Sequence, residues 1–213
     1  MALGLFGGTF DPVHHGHLRP AVELRRDLGL DEVRLVPCHV PPHRAAPGAT
    51  PAQRRDMLAA AIADERGLVL DERELARPGP SYMVDTLTSM RAEFGARPLC
   101  LILGMDALHG LNTWRRWREL GGLAHLVVMH RPGWSWPEEG EVAALVAERR
   151  VHDPARLRAA PAGAILGWSV TQMDISASGI RAQVLAGASP RYLLPDPVLV
   201  LIRRWGLYRE ASL

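Results

Sequence analysis

The sequence predicts an α/β fold: a doubly wound parallel sheet with helices on both faces and further helices toward the C-terminus. Three observations carry this expectation. Short apolar runs alternate with segments of helical period, the pattern of repeated β-α-β units. The run Leu99 to Leu103 is continuously apolar, as a strand covered on both faces must be. The first run, Ala2 to Phe6, passes through a glycine-bearing loop directly into an amphipathic segment at about Leu18 to Leu28. With 213 residues, 47% of them hydrophobic, the chain can bury one large core, and residues 1–213 are read as one domain with a variable segment at about 133–163.

The first loop runs Gly7-Gly8-Thr9-Phe10-Asp11-Pro12-Val13-His14-His15-Gly16-His17. Strand, glycine loop and helix start form the layout of a phosphate site, because glycines admit the backbone to an anion and a helix N-terminus offers unpaired N–H groups. His14 and His17, three apart, fall about one turn apart and can face one ligand. The same spacing also suits a metal, with Asp11 the only acid in the loop. The chain contains neither a G-x-x-x-x-G-K-[ST] loop nor a G-x-G-x-x-G loop, which argues against the two commonest nucleotide-binding motifs.

Val33 to Val36 is the second strand, and the prolines of Pro37-Cys38-His39-Val40-Pro41-Pro42-His43-Arg44 make the next segment irregular. Such a loop is either a stiff surface connection or a carrier for His43 and Arg44. Thr50 caps a helix to about Glu65, with Pro51 at its first position and Gln53 closing a capping box. Leu68 to Leu70 is the third strand. Ser81 is placed to cap the next helix, whose apolar stripe is Val84, Leu87, Met90 and Phe94 and which ends at Gly95.

Leu99 to Leu103 ends in Gly104-Met105-Asp106, at the strand end where open α/β sheets bind ligands. Asp106 there suits either a ligand hydroxyl or a helix cap. Thr113 suits the cap of a helix beginning at Trp114, and Trp114 and Trp117 share one face of it. Leu126 to Met129 is the fifth strand, a helix covers Glu141 to Arg150, and Ala164 to Trp168 is the last strand. Ser176 and Ser178 open a second helix N-terminus, with Arg181 one turn in and Gly187 at its end. Asp196 caps the final helix and Gly206 closes it.

The formal charge of +2 gives no reason to expect nucleic acid as a partner. Two cysteines, Cys38 and Cys100, make no disulfide framework, and no signal peptide or membrane span is expected, so the reading is cytoplasmic.

The joined first-loop string resembles the G-x-F-D-x-x-H-x-G-H signature of the nucleotidyltransferase superfamily, which implies ATP and a Rossmann-like fold. Four further stretches are similar to the bacterial nicotinate-nucleotide adenylyltransferase family: Pro41-Pro42-His43-Arg44, Gly79-Pro80-Ser81-Tyr82, Asn112-Thr113-Trp114 and Ile175-Ser176-Ala177-Ser178-Gly179-Ile180-Arg181. The closing Trp205-Gly206-Leu207-Tyr208 adds to the likeness. The chain departs from the family at Arg44 (often Lys), Met83 (usually Thr), Ser178 (usually Thr) and Arg115 (often an aromatic residue or His).

The resemblance implies adenylyl transfer from ATP to nicotinate mononucleotide, with Mg2+ carried mainly on ATP phosphates and water and no protein metal ligands. It implies His14 and His17 at the reacting phosphate and Arg44 and Arg181 on the leaving pyrophosphate. Gly7, Gly8, Thr9, Phe10, Gly16, Gly104, Asp106, Ile175, Ser176 and Ser178 would bind ATP. Ser81, Tyr82, Thr86, Trp114, Arg115 and Arg131 would bind the acceptor, with Trp114 stacking on its ring. A helix start at Trp114, the Thr86 hydroxyl and the Arg115 charge would favour an acid over an amide. The alternatives are a sister enzyme acting on pantetheine phosphate or nicotinamide mononucleotide, or a silent nucleotide sensor. A homo-oligomer stays open.

Overall fold

The computed structural model describes residues 2–42, 46–130 and 135–209. Seven strands form one wholly parallel sheet: β1 (Leu3–Gly8), β2 (Glu32–Pro37), β3 (Leu68–Leu70), β4 (Leu99–Gly104), β5 (His125–His130), β6 (Arg150–Val151) and β7 (Ile165–Ser169). Their order is β3-β2-β1-β4-β5-β7-β6. The chain winds outward from β1 through β2 to β3, then restarts at β4 and winds the other way. The reversal opens a crevice between the carboxyl ends of β1 and β4, the place where this topology binds ligands.

Alternation along the strands separates two cores, as a period of two requires. Leu3, Leu5, Leu99, Leu101, Leu103, Leu126 and Val128 face one layer. It is covered by α3 (Met83–Phe94), α4 (Met105–His109), α5 (Trp117–Leu123) and α6 (Gly140–Arg149). Phe6, Val33, Leu35, Cys100, Ile102 and Val127 face the other. It is covered by α1 (His15–Asp27), α2 (Pro51–Ile62), α7 (Arg156–Ala159), α8 (Ala177–Leu185) and α9 (Asp196–Arg204). Each fully buried Leu contributes roughly 1.5–3 kcal/mol, so both layers hold the central strands firmly.

Most local signals act as read. Thr50 accepts from the Gln53 amide and the Gln53 side chain accepts from the Thr50 amide, a complete capping box. Several ends differ. α1 begins three residues before Leu18, because His14 is its N-cap. α2 stops at Ile62, short of Glu65. Ser81 is not a helix cap: Tyr82 holds that place, and the Ser81 hydroxyl accepts from the His39 amide at 2.9 Å. Pro195, not Asp196, precedes α9. The segment after residue 134 supplies α6, α7 and the edge strand β6, whose two residues are too short to leave an apolar signature.

Candidate active site

β1 delivers Gly7 and Gly8 to the crevice, and α1 leaves it. A Cβ on Gly7 would stand 2.7 Å from Met83 Cε, so the bare backbone lets the Met83 side chain at the start of α3 lie directly on the loop. His14 caps α1 in extended conformation, and the amides of His17 and Leu18 both turn back to its carbonyl. The His14 and His17 rings lie 3.8 Å apart, tilted by 31°. Phe10 meets His17 edge-on at 5.1 Å, forming an apolar wall behind it. The H-x-x-H spacing has therefore brought two imidazoles onto one spot.

His14 is 4% exposed and its Nδ1 has no hydrogen-bond partner. Burial, with a smaller push from His15, lowers its pKa to about 4. The imidazole is thus neutral near pH 7 and keeps one N–H to donate.

The second helix start lies beside the first. A Cβ on Gly16 would approach Ile175 O at 3.1 Å, so the residue before Ser176 sits against the α1 entrance. Ser176 caps α8 by accepting from the Gly179 amide, and its hydroxyl is 3.2 Å from that of Ser178. Ser178 is exposed in the first turn. Arg181, on the next turn, donates from Nη1 to Asp11 O at 2.7 Å. Two helix N-termini, two histidines and an arginine therefore converge. Glu23 of α1 ties this junction by accepting from both the amide and the hydroxyl of Thr171, each at 2.6 Å.

Two residues organise the loop: Arg54, which was not singled out from the sequence, and Asp11, which was read there only as a possible metal partner. Arg54 is fully buried and donates to Thr9 O at 2.7 Å, Cys38 O at 2.6 Å and His39 O at 3.1 Å. It pins the first loop to the segment after β2 and places a cation beneath it. Asp11 is 4% exposed and accepts from Gly48, Ala49 and Tyr208. Those partners exhaust the acid that a loop metal would need. Among the described residues no three His, Cys, Asp or Glu side chains converge on a point, so they offer Mg2+ no cage.

β4 brings Gly104 and Asp106 to the far side of the crevice. Gly104 caps α4, and Asp106 is exposed with its carboxylate folded against Gly104 rather than capping the helix. Of the two readings of Asp106, the structure removes the helix cap and leaves the carboxylate exposed at the strand end.

The acceptor residues are partly reassigned. Tyr82 is half-buried, and the Arg115 guanidinium stacks 4.7 Å over its ring. Trp114 is half-buried nearby, whereas Trp117 is core. No helix starts at Trp114. A 3-10 turn, Leu111–Thr113, precedes it, the Trp114 amide donates to Leu111 O, and α5 starts only at Trp117 after Arg116 in left-handed conformation. Thr113 does not cap a helix; its hydroxyl donates to Gly110 O at 2.7 Å. Thr86 is neither solvated nor ligand-facing. It is fully buried and donates to Glu74 Oε1 at 2.5 Å, where burial pushes the Glu74 carboxyl above its ordinary range. On this side, Asp85 and Thr86 of α3 close on Tyr82 O, which leaves the amides of Met83 and Val84 unclaimed among the described residues. Arg44 and Arg131 lie outside the described residues. Among the described residues, no helix is long and apolar enough to cross a membrane.

Comparison with known proteins fits this geometry. A family model described as cytidylyltransferase-like matches residues 5–183. A protein of Methylococcus capsulatus named "Probable nicotinate-nucleotide adenylyltransferase" is 53% identical over 98% of this chain and 100% of its own length. One of the same name from Marinobacter nauticus is 51% identical, over 96% of this chain and 95% of its own. Among solved structures, Plasmodium falciparum nicotinic acid mononucleotide adenylyltransferase complexed with NaAD superposes with a TM-score of 0.73. It covers 97% of both chains at 14% identity, a likeness of fold.

Proposed function

The chain belongs to the nicotinate-nucleotide adenylyltransferase family, and from that premise we propose how its residues carry the reaction. The enzyme transfers the adenylyl group of ATP to nicotinate mononucleotide, giving nicotinate adenine dinucleotide and pyrophosphate in NAD biosynthesis. An oxygen of the acceptor phosphate forms a bond to the α-phosphorus as the bond from that phosphorus to the bridging oxygen breaks. The acceptor is already an anion at neutral pH, so no base and no protein nucleophile is required. Catalysis then rests on positioning and on stabilising charge.

The observation that supports this reading best is the histidine pair, 3.8 Å apart where two helix N-termini meet. His14 and His17 would donate to the α-phosphate and the bridging oxygen, where charge grows in the transition state. Gly7, Gly8, Thr9, Phe10 and Gly16 would line the phosphate path. Arg181, with Arg44 by its sequence match, would neutralise the pyrophosphate, and Ser176, Ser178 and the first amides of α8, beside Ile175, would hold the terminal phosphates. Gly104 and Asp106 would meet the ribose. Magnesium would enter on the ATP phosphates, where it shields charge and keeps its waters. Tyr82, Trp114 and Arg115 would bind the pyridine nucleotide, with Ser81 holding Tyr82 in place and Arg131 adding charge. The unclaimed amides at the start of α3 would receive the nicotinate carboxylate. The buried thiols Cys38 and Cys100 suit the cytoplasm.

The test is to supply ATP and Mg2+ with nicotinate mononucleotide, nicotinamide mononucleotide or phosphopantetheine in turn and to measure pyrophosphate. Release is expected with the first far above the second, and none with the third. Silence in every arm, or preference for phosphopantetheine, would overturn the reading.

A further inference from the structure

The Asp11 carboxylate lies between parts of the chain that no local motif joins. Its Oδ1 accepts from the Tyr208 hydroxyl at 2.8 Å and from the Ala49 amide at 3.0 Å. Its Oδ2 accepts from the Gly48 amide at 2.8 Å and faces Arg181 Nη1 at 3.5 Å. The same Nη1 donates to the Asp11 backbone carbonyl. Asp11 is 4% exposed, so each of these donors offsets the cost of a buried charge. The Tyr208 ring also touches the loop directly: a Cβ on Gly48 would stand 3.1 Å from Tyr208 Cε1 and 3.8 Å from Arg181 Cδ. The Tyr208 ring thus packs tightly against the backbone at position 48. Burial, together with the neighbouring carboxylate, pushes the phenol above its ordinary range, so it stays a donor.

We propose that Tyr208, near the end of the chain, is a positioning residue for adenylyl transfer: through Asp11 it holds Arg181 at the place of the leaving pyrophosphate. The phenol fixes Oδ1, the loop amides fix the plane of the carboxylate, and the carboxylate with its own backbone carbonyl fixes one nitrogen of the guanidinium. Arg181 is left about one-third exposed beside the first loop, so its guanidinium is not used up by these contacts. Without the hydroxyl, Oδ1 keeps one of its two donors, the carboxylate is free to turn, and the guanidinium loses its fixed aim. The prediction is therefore about one substrate only. The pyrophosphate end should suffer and the pyridine end should not, because Tyr82 and Trp114 belong to the opposite layer.

This inference rests on the assignment of Arg181 to pyrophosphate, so the experiment tests the two apart. Steady-state kinetics are compared for the unmodified protein, Tyr208→Phe, Arg181→Ala and the double variant, with melting temperatures for all four. Arg181→Ala should raise the KM for ATP and weaken pyrophosphate inhibition about tenfold or more. Tyr208→Phe should do the same by about three- to tenfold, with the KM for nicotinate mononucleotide unchanged. In the Arg181→Ala background the Tyr208→Phe effect should vanish, which a general loss of stability would not do. If Tyr208→Phe leaves pyrophosphate inhibition untouched while Arg181→Ala weakens it, the positioning role is wrong. If its effect adds fully to that of Arg181→Ala, or falls equally on both substrates, the role is structural and the proposal fails. If Arg181→Ala itself changes nothing, the assignment of Arg181 falls and takes the proposal with it. Asp11→Asn serves as the second probe: it keeps the shape but weakens the hold on Arg181, and it should move the same two constants in the same direction.

Discussion

The two sides of the crevice are built differently. On the phosphate side, positions are over-determined. His14 is buried, Arg54 reaches three backbone carbonyls, and the Asp11 carboxylate collects two amides, a phenol and a guanidinium. On the acceptor side, Tyr82 and Trp114 are half-buried and Arg115 is exposed, joined by one cation–ring contact. The buried groups there, Thr86 and Glu74, support α3 from behind. The contrast suits the chemistry. Stabilising a transition state needs donors fixed before charge develops, whereas a bound nucleotide base can be met by rings that adjust. The phosphate side should therefore govern rate and the acceptor side should govern which substrate is used.

The largest expected effect tests the rigid side. His14→Ala and His17→Ala should each lower kcat by on the order of 10²-fold or more, with smaller changes in ATP affinity, because each removes a donor aimed at growing charge. Steady-state kinetics on folded variants decides it, and a normal kcat in either one removes that histidine from the chemistry. Next comes the adaptable side. Trp114→Ala should weaken both pyridine nucleotides by about tenfold, since stacking on a base-like ring is worth roughly 1–3 kcal/mol and ignores the acid or amide group. Titration with each acceptor measures this, and a loss confined to one of them would contradict it.

Thr86→Val separates support from contact. It removes one of the hydrogen-bond partners of the buried Glu74 carboxyl, beside Ser81, and should cost about 1–3 kcal/mol of stability, read in a denaturant melt. The preference for acid over amide should stay where it was. A narrowed preference at unchanged stability would return Thr86 to the binding site.

The smallest effect concerns pH. The folded pKa of His14, about 4, lies below its ordinary value of 6.5, so on acidification the unfolded chain takes up the proton first. The associated stability is full above about 6.5 and is lost as pH falls toward 4. Between pH 7 and 5.5 this amounts to about 1 kcal/mol. His14→Gln should flatten that part of the stability profile, and an unchanged slope would mean that His14 is protonated as easily folded as unfolded.

The same contrast explains what could be read in the sequence. The phosphate side announces itself because its signals are local: glycines at a strand end, histidines three apart, and Thr50 with Gln53 at capping distance. The parallel sheet and most of its strands followed from alternating apolar runs, whereas the strand order β3-β2-β1-β4-β5-β7-β6 came from the structure alone. What was not legible depends on distant partners. Tyr208 finds Asp11 across 197 residues, and nothing at either end states the pairing. Arg54 reads as an ordinary polar position of α2, since no local pattern shows that three carbonyls await it. Thr86 was expected at the acceptor because its buried partner Glu74 lies on a preceding turn, where no helical spacing reveals it. Trp114 was misread for another reason: Thr113 has good capping chemistry, but a 3-10 turn claims the amides of Thr113 and Trp114 first.

The central claim is that rate and substrate choice are set on opposite walls of the crevice. The most direct measurement is kcat/KM for nicotinate mononucleotide and for nicotinamide mononucleotide in the unmodified protein and in His17→Ala. The account predicts that both values fall by the same factor, on the order of 10², with their ratio held within about twofold. A ratio that collapses while the rate with the better acceptor stays normal would contradict it.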